Sequence, residues 1–351
     1  MTVHHYLATC PAGVGVMLAQ ELRALGAEEP VERPVGVSFS GDLALAYRVC
    51  LWSRLANRVI LLLSRAEVDG ADGLYQIVSD INWRIHLTEK STFMVDFSGR
   101  ASWMRNAQFG AQKIKDAVVD QFRAAGLGRP SVDLKLPDVR ITARLAKGQV
   151  TLGIDLSGDS LHRRGYRLEG GLAPLKENVA AAALWAADWP SRARAGEVLI
   201  DPMCGSGTFV IEAAEIAIGV APGRRRDFSF QKLKSFDPKA FKTILKDQKL
   251  ITRLELNLFG YDRDNGAIKN SIKNAELANV SHITNFESQS ISDLSPLSSQ
   301  CGLVIFNPPY GGRIGDKKIL YALYAKIGMV LKAKFNGWRV GLITADGSLA
   351  K

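Results

Sequence analysis

Cysteine is scarce in this chain of 351 residues. Its four cysteines, Cys10, Cys50, Cys204 and Cys301, lie far apart and form no CxxC pair. That argues against a zinc site and fits a reducing cytoplasm. No run of about 18 apolar residues occurs, so no membrane span is expected. The opening stretch "MTVHHYLATCPAG" lacks a basic segment followed by a long apolar one, so it does not read as a signal peptide. Internal repeats and low-complexity tracts are also missing.

Positive charge is abundant. The formal net charge is +10, against an ordinary 47% hydrophobic and 23% charged content. Such a surplus favours a polyanionic partner, nucleic acid before membrane, although basic soluble proteins are common. The length allows two domains, each with its own core.

The pattern divides near residue 165. Up to about residue 160 short strands and helices are interleaved and close on a hairpin at "KGQ", which suggests an α+β module in two parts, 1–60 and 61–160. A helix is expected over 42–59. From 161 to 351 strands alternate with helices throughout, which implies an α/β, doubly wound parallel sheet. Pro174 is placed in the first turn of a helix beginning near "APLKE". The segment "APGRRRDFSFQKLKSFDPKAF" reads as a basic, loosely patterned insertion, followed by a helix "KTILKDQKLITRLE".

Three strand ends carry chemistry. In "LIDPMCGSGTFVIEAA", an apolar strand ends at Asp201, and Gly205 and Gly207 let the backbone turn tightly and approach a ligand. The spacing matches neither the dinucleotide fingerprint nor a phosphate loop, and no lysine follows Gly207, so a nucleoside triphosphate is not expected. A plain strand–helix turn is the alternative. In "LFGYDRDNGAI", Asp262 can accept from ribose hydroxyls or cap a helix, and Asp264 is a candidate cap. In "VIFNPPYGG", Pro308 and Pro309 remove N–H donors. The carbonyls of Asn307 and Pro308 and the Asn307 amide oxygen can then converge on a planar –NH₂, with Tyr310 as a stacking face. The alternative is an ordinary Asn-Pro turn.

Together, "DPMCGSGT" and "NPPYG" resemble the class I S-adenosylmethionine methyltransferases of amino groups. "SGDSLHRRGYR" and "APLKE" narrow the resemblance to the THUMP-containing branch, of the RlmL type that methylates guanine N2 in 23S ribosomal RNA. The resemblance covers nearly the whole chain. It implies a ferredoxin-like part (1–60), a THUMP RNA-binding domain (61–160) and a Rossmann-like methyltransferase domain (161–351). It also implies roles for individual residues. Asp201, Cys204, Gly205 and Gly207 would line the methionine part of the cofactor, and Pro174, Leu175 and Lys176 would close over it. Asp262 would hold the ribose, and Asn307, Pro308 and Tyr310 would hold the guanine. Ser290 stands where the family usually has an Asp that contacts adenine N6. The family fold continues past "ITADGSLAK" into a further hairpin, so a sheet without its last hairpin is expected.

The implied chemistry is an in-line methyl displacement that needs no covalent enzyme nucleophile, so Cys204 and Cys301 need not be reactive. The target base would be flipped out or unpaired. On the RNA side stand Arg105, Lys113 and Lys115 around one helix, then Arg163, Arg164 and Arg167. Arg224–Arg226 could also touch RNA, while each cation alone reads as a solvated charge. His162 is read as structural. The expected protein is a cytoplasmic monomer that takes S-adenosylmethionine and RNA, with no metal and no membrane. Other readings stay open: tRNA guanine N2, adenine N6 or a protein glutamine amide as target, or a non-catalytic RNA-binding factor.

Overall fold

Alternating burial sets up the first sheet. In β1 (His4–Thr9), Tyr6 and Ala8 are buried while His5 and Leu7 keep some exposure on the other face, the period-two pattern of a strand covered on one side. The computed structural model describes residues 2–167, 175–247, 256–296, 301–309, 317–344 and 346–349. After β1 come α1 (Gly15–Ala24), β2 (Glu28–Arg33), β3 (Gly36–Gly41), α2 (Leu43–Trp52), β4 (Arg58–Glu67) and α3 (Ala71–Ser79). Then follow β5 (Thr92–Ser98), α4 (Ala107–Ala124), β6 (Ser131–Val132), β7 (Val139–Ala146) and β8 (Gln149–Asp155). The eight strands form one sheet in the order β2-β3-β1-β4-β8-β7-β5-β6.

That sheet is continuous across the position where two parts were expected to meet. β4 pairs with β1 through Arg58–Leu62 and with β8 through Ile60–Glu67. A division at residue 60 therefore falls inside a strand. The helix expected over 42–59 stops at Trp52, because the next turn is held from outside. The buried Glu21 carboxylate of α1 accepts from Ser53 Oγ at 2.5 Å and from the Arg54 N–H at 2.8 Å. The expected "KGQ" turn between β7 and β8 has both Lys147 and Gly148 at positive φ, as a two-residue hairpin loop requires.

The remaining elements are α5 (Glu177–Ala186), α6 (Trp189–Arg194), β9 (Leu199–Asp201), α7 (Thr208–Ala217), α8 (Pro238–Lys246), β10 (Leu258–Asp262), α9 (Asn265–Leu277), β11 (Thr284–Ser288), β12 (Leu303–Phe306), α10 (Lys317–Lys334) and β13 (Arg339–Leu342). The chain divides into two compact units, one of residues 1–161 with 226–247, the other of 162–225 with 248–351. The insertion is thus part of the first unit. Phe230, Phe236 and Phe241 pack on Tyr47 of α2, with the Phe230 ring stacked 4.3 Å from Tyr47 and Phe228 stacked in turn on Phe230. α8 begins at Pro238, earlier than expected, because Asp237 caps it through the N–H groups of Lys239 and Ala240.

In the second unit five parallel strands run in the order β11-β10-β9-β12-β13. Successive side chains serve two cores. Leu199 of β9 and Leu303 and Ile305 of β12 join α5, α7 and α9, while Ile200, Val304 and Phe306 join α10. Both faces are covered, as in a doubly wound sheet. Chain order proceeds outward from β9 to β11 and then returns to β12, so the topological switch lies between β9 and β12. Ligands of open α/β sheets bind beyond the strand C-termini at such a point.

Candidate active site

β9 ends at the switch point in a tight loop. Asp201 is 2% exposed, and its carboxylate accepts the Met203 N–H at 3.1 Å. Burial pushes its carboxyl well above the usual range, and nearby Asp262 adds to the rise against the Met203 bond. The loop turns through Gly205 and Gly207, with φ of 54° and 80°. Gly207 is the N-cap of α7, and a Cβ there would stand 3.1 Å from the Phe286 ring. A Cβ on Gly205 would meet nothing within 4 Å, so the backbone there faces open space.

One helix and a strand lock the loop. Ser271 Oγ of α9 donates to Gly205 O at 2.7 Å, and Asn274 Nδ2 donates to Ser206 O at 3.0 Å. Cys204 N–H donates to Tyr261 O at 2.8 Å. Its thiol is buried, which pushes its pKa well up, so it stays a thiol and a poor nucleophile. Sequence reading passed over Ser271 and Asn274, although their three-residue spacing puts both on one face of α9.

Asp262 closes β10 beside the loop. Its Oδ2 accepts the Gly205 N–H and its Oδ1 the Asp264 N–H, both at 3.0 Å. Asp264 caps α9 by accepting from Gly266 at 2.7 Å. The cap is therefore Asp264, and Asp262 ties two strand ends together. Ser290 follows Gln289, whose N–H donates to Asp262 O at 3.0 Å and extends the ladder past β11; the Ser290 Oγ accepts the Ser292 N–H at 3.3 Å.

Across the switch point β12 delivers Asn307 and Pro308. Pro308 is buried, and among the described residues the buried Asn307 Oδ1 atom has no hydrogen-bond partner. Such an acceptor costs about 1–3 kcal/mol where it stands. Leu175 is packed against the core and Lys176 is exposed, immediately before α5. Pro174 and Tyr310 lie outside the described residues, and the described helix begins at Glu177, after the proline.

The arginines expected on the RNA side separate. Arg105 and Arg163 are exposed. Lys113 lies 4.0 Å from Asp72 and Lys115 2.7 Å from Asp116. Arg164 is turned inward: its side chain is 1% exposed and its Nε lies 3.2 Å from Glu212 Oε1, so it cannot offer itself to a phosphate. Arg167 also faces inward, toward Glu177 and Thr208. In the "GRRR" segment, Arg224 and Arg225 pair with Glu215, and Arg226 donates to the carbonyls of Ser157, Asp159 and Ser160. These three are structural cations rather than RNA contacts. Burial and surrounding cations hold His162 down at about 4, neutral at physiological pH. Among the described residues no three metal-binding side chains cluster, and no helix is long and apolar enough to cross a membrane.

The comparison with known families meets this geometry. Residues 164–351 match the family model described as the RMKL-like methyltransferase domain. The chain belongs to the RMKL-like methyltransferase family. Residues 5–60 of this RMKL-like chain match the RlmL ferredoxin-like domain and residues 69–155 the THUMP domain. It is similar to the ribosomal RNA large subunit methyltransferase K/L of Marinobacter nauticus, 44% identical over all of this chain and half of that protein. The protein of the same description from Syntrophotalea carbinolica is also 44% identical, over 99% of this chain and 50% of its own length. The chain thus spans about half the length of the curated relatives it matches. Among solved structures, SMU.472 complexed with SAH is 28% identical with a TM-score of 0.89, covering 99% of this chain and 91% of that one. A Listeria monocytogenes protein described as a predicted N6-adenine-specific DNA methylase has the same identity and TM-score over 99% and 90%. The fold of the second unit is the Rossmann-like methyltransferase fold.

Proposed function

We propose that this chain transfers a methyl group from S-adenosylmethionine to the exocyclic N2 of a guanosine in large-subunit ribosomal RNA. The observation that carries the reading is the buried Asn307 Oδ1, an acceptor with no donor among the described residues, just after the end of β12. An exocyclic amino group is a donor of the kind that atom lacks, and Pro308 beside it has no N–H to compete. The glycine loop fits the cofactor, since backbone at Gly205 borders open space and side chains are excluded at Gly207.

S-adenosylmethionine, when bound, supplies an electrophilic methyl group. Asp201, Cys204, Gly205 and Gly207 hold its amino-acid part, with Pro174, Leu175 and Lys176 closing over it. Asp262 and Ser290 receive the nucleoside. Ser290 offers an uncharged acceptor where the family usually has a carboxylate. Asn307, Pro308 and Tyr310 would hold the base, with its amino group donating to the Asn307 acceptor. Positioning and exclusion of water then do the work, and no covalent nucleophile is required. The base must leave its stack to enter. Arg105, Arg163, Lys113 and Lys115 contact phosphates, giving affinity that falls as salt rises. The protein works as a cytoplasmic monomer.

The test is methylation of unmodified ribosomal RNA with labelled cofactor, followed by nucleoside analysis. Label in N2-methylguanosine is expected. The likeness to the Listeria protein favours one second reading, adenine N6. Label in N6-methyladenosine would replace the proposal with that reading.

A further inference from the structure

We propose that Arg167 is a positioning residue for the cofactor site, holding the segment before α5 against the first turn of α7; the inference rests on the cofactor reading above. Its Nη2 atom alone reaches three groups: Thr208 Oγ1 at 2.7 Å, Glu177 Oε1 at 3.1 Å and Leu175 O at 3.3 Å. Thr208 is the first residue of α7, directly after Gly207. Leu175 and Glu177 are the last residue but one before α5 and its first residue. One nitrogen therefore fixes the spacing between the two segments that flank the cofactor's amino-acid part.

Helix stability does not account for this placement. A cation at a helix N-terminus opposes the macrodipole, and this guanidinium sits at the N-termini of both α5 and α7. Glu177, with a side chain only 4% exposed, offsets the charge. The neighbouring Arg164 meets Glu212 four residues along α7 from Thr208, on the same face. Between them Gly165 has φ of 89°, and a Cβ there would stand 2.8 Å from the Arg225 carbonyl. The "RRGYR" segment is thus a strap along α7, anchored by Arg164 and ending on Arg167 at the loop that the cofactor needs.

The closing experiment uses Arg167→Met, Arg167→Lys and Thr208→Val in the full chain. Binding of S-adenosylhomocysteine is measured by calorimetry, and KM and kcat for each substrate by single-turnover and steady-state methylation. The Met variant is expected to bind S-adenosylhomocysteine at least tenfold more weakly and to raise KM for the methyl donor, with KM for RNA unchanged. The Lys variant, with three N–H donors on one nitrogen, is expected to recover most of the loss. Thr208→Val, which removes one acceptor only, is expected to lose about threefold, and little more when combined with Arg167→Met. Unchanged affinity in both the Met and Val variants overturns the inference. So does a rise in KM for RNA with cofactor affinity intact, which would return Arg167 to phosphate binding. A wild-type protein that binds no S-adenosylhomocysteine overturns the cofactor reading itself, a result distinct from variants that bind as well as wild type.

Discussion

Asn307→Ala should make the free protein no less stable while disabling it. Among the described residues the buried Oδ1 atom has no partner, a cost of about 1–3 kcal/mol in the absence of substrate. Truncation removes that cost and loses some side-chain packing, leaving a net change of about 0 to +1 kcal/mol. For a unit of this size 1 kcal/mol corresponds to roughly 2–4 °C in Tm. Turnover moves the other way. Loss of one oriented hydrogen-bonding group in a water-excluded site costs about 10²–10³ in kcat. Differential scanning fluorimetry, calorimetry with S-adenosylhomocysteine and single-turnover methylation read the three quantities. Tm is expected to hold or rise, cofactor affinity to stay within about threefold, and kcat to collapse. Asn307→Asp, which buries a carboxylate with no donor, should lower Tm. A drop of several degrees in the Ala variant would mean that the side chain is structural. A kcat within a few-fold of wild type would remove Asn307 from the substrate site.

Three further outcomes follow from the geometry. Gly207→Ala forces a side chain into left-handed backbone and to 3.1 Å from the Phe286 ring, so cofactor affinity should fall at least tenfold by calorimetry, with about 1–2 kcal/mol lost from the backbone alone; unchanged affinity would show that the loop is not the cradle. Phe230→Ala empties a fully buried ring site against Tyr47, and urea unfolding should report about 3–5 kcal/mol lost from the first unit; a loss under 1 kcal/mol would contradict the packing described. Burial, reinforced by His4, holds His86 down at about 4 against an ordinary 6.5. The unfolded chain takes up that proton first, so its contribution is complete above pH 6.5 and is lost as pH falls toward 4. It amounts to about 3 kcal/mol at 1.36 kcal/mol per unit. His86→Leu should flatten that part of the pH–stability profile, and an unaltered profile would refute the assignment.

How much of this was legible depended on whether local chemistry or tertiary packing decided the outcome. The strand ends at Asp201, Asp262 and Asn307 were legible, because glycines, prolines and caps write turns directly into sequence. The parallel sheet followed from the alternation of strands and helices. The arginines were not legible. Arg163 and Arg164 are adjacent and chemically identical, yet one is exposed and the other lies 3.2 Å from Glu212 in the core. Nothing within "HRRGYR" distinguishes them, because Glu212, the partner of Arg164, sits on α7. Phe228, Phe230, Phe236 and Phe241 fit neither a helical nor a strand period, so their shared cluster around Tyr47 left no periodic trace. One signal there went unused: Asp237 followed by Pro238 is a helix start. Pro30 hid β2 in the same way, since proline argues against a strand away from the sheet edge where β2 lies.

The return of residues 226–247 to the first unit has a consequence for synthesis. Chains emerge from the ribosome in order, and domains usually finish one after another. Here the first unit cannot finish at residue 161, because the three phenylalanines that pack on Tyr47, Phe230, Phe236 and Phe241, are made more than sixty residues later. By then α5, α6, β9 and α7 have already been translated, without the strands on either side of β9. The two units must therefore mature together, each waiting on a segment that follows part of the other. A fragment beginning at residue 162 would carry Phe230, Phe236 and Phe241 without the Tyr47 ring on which they pack.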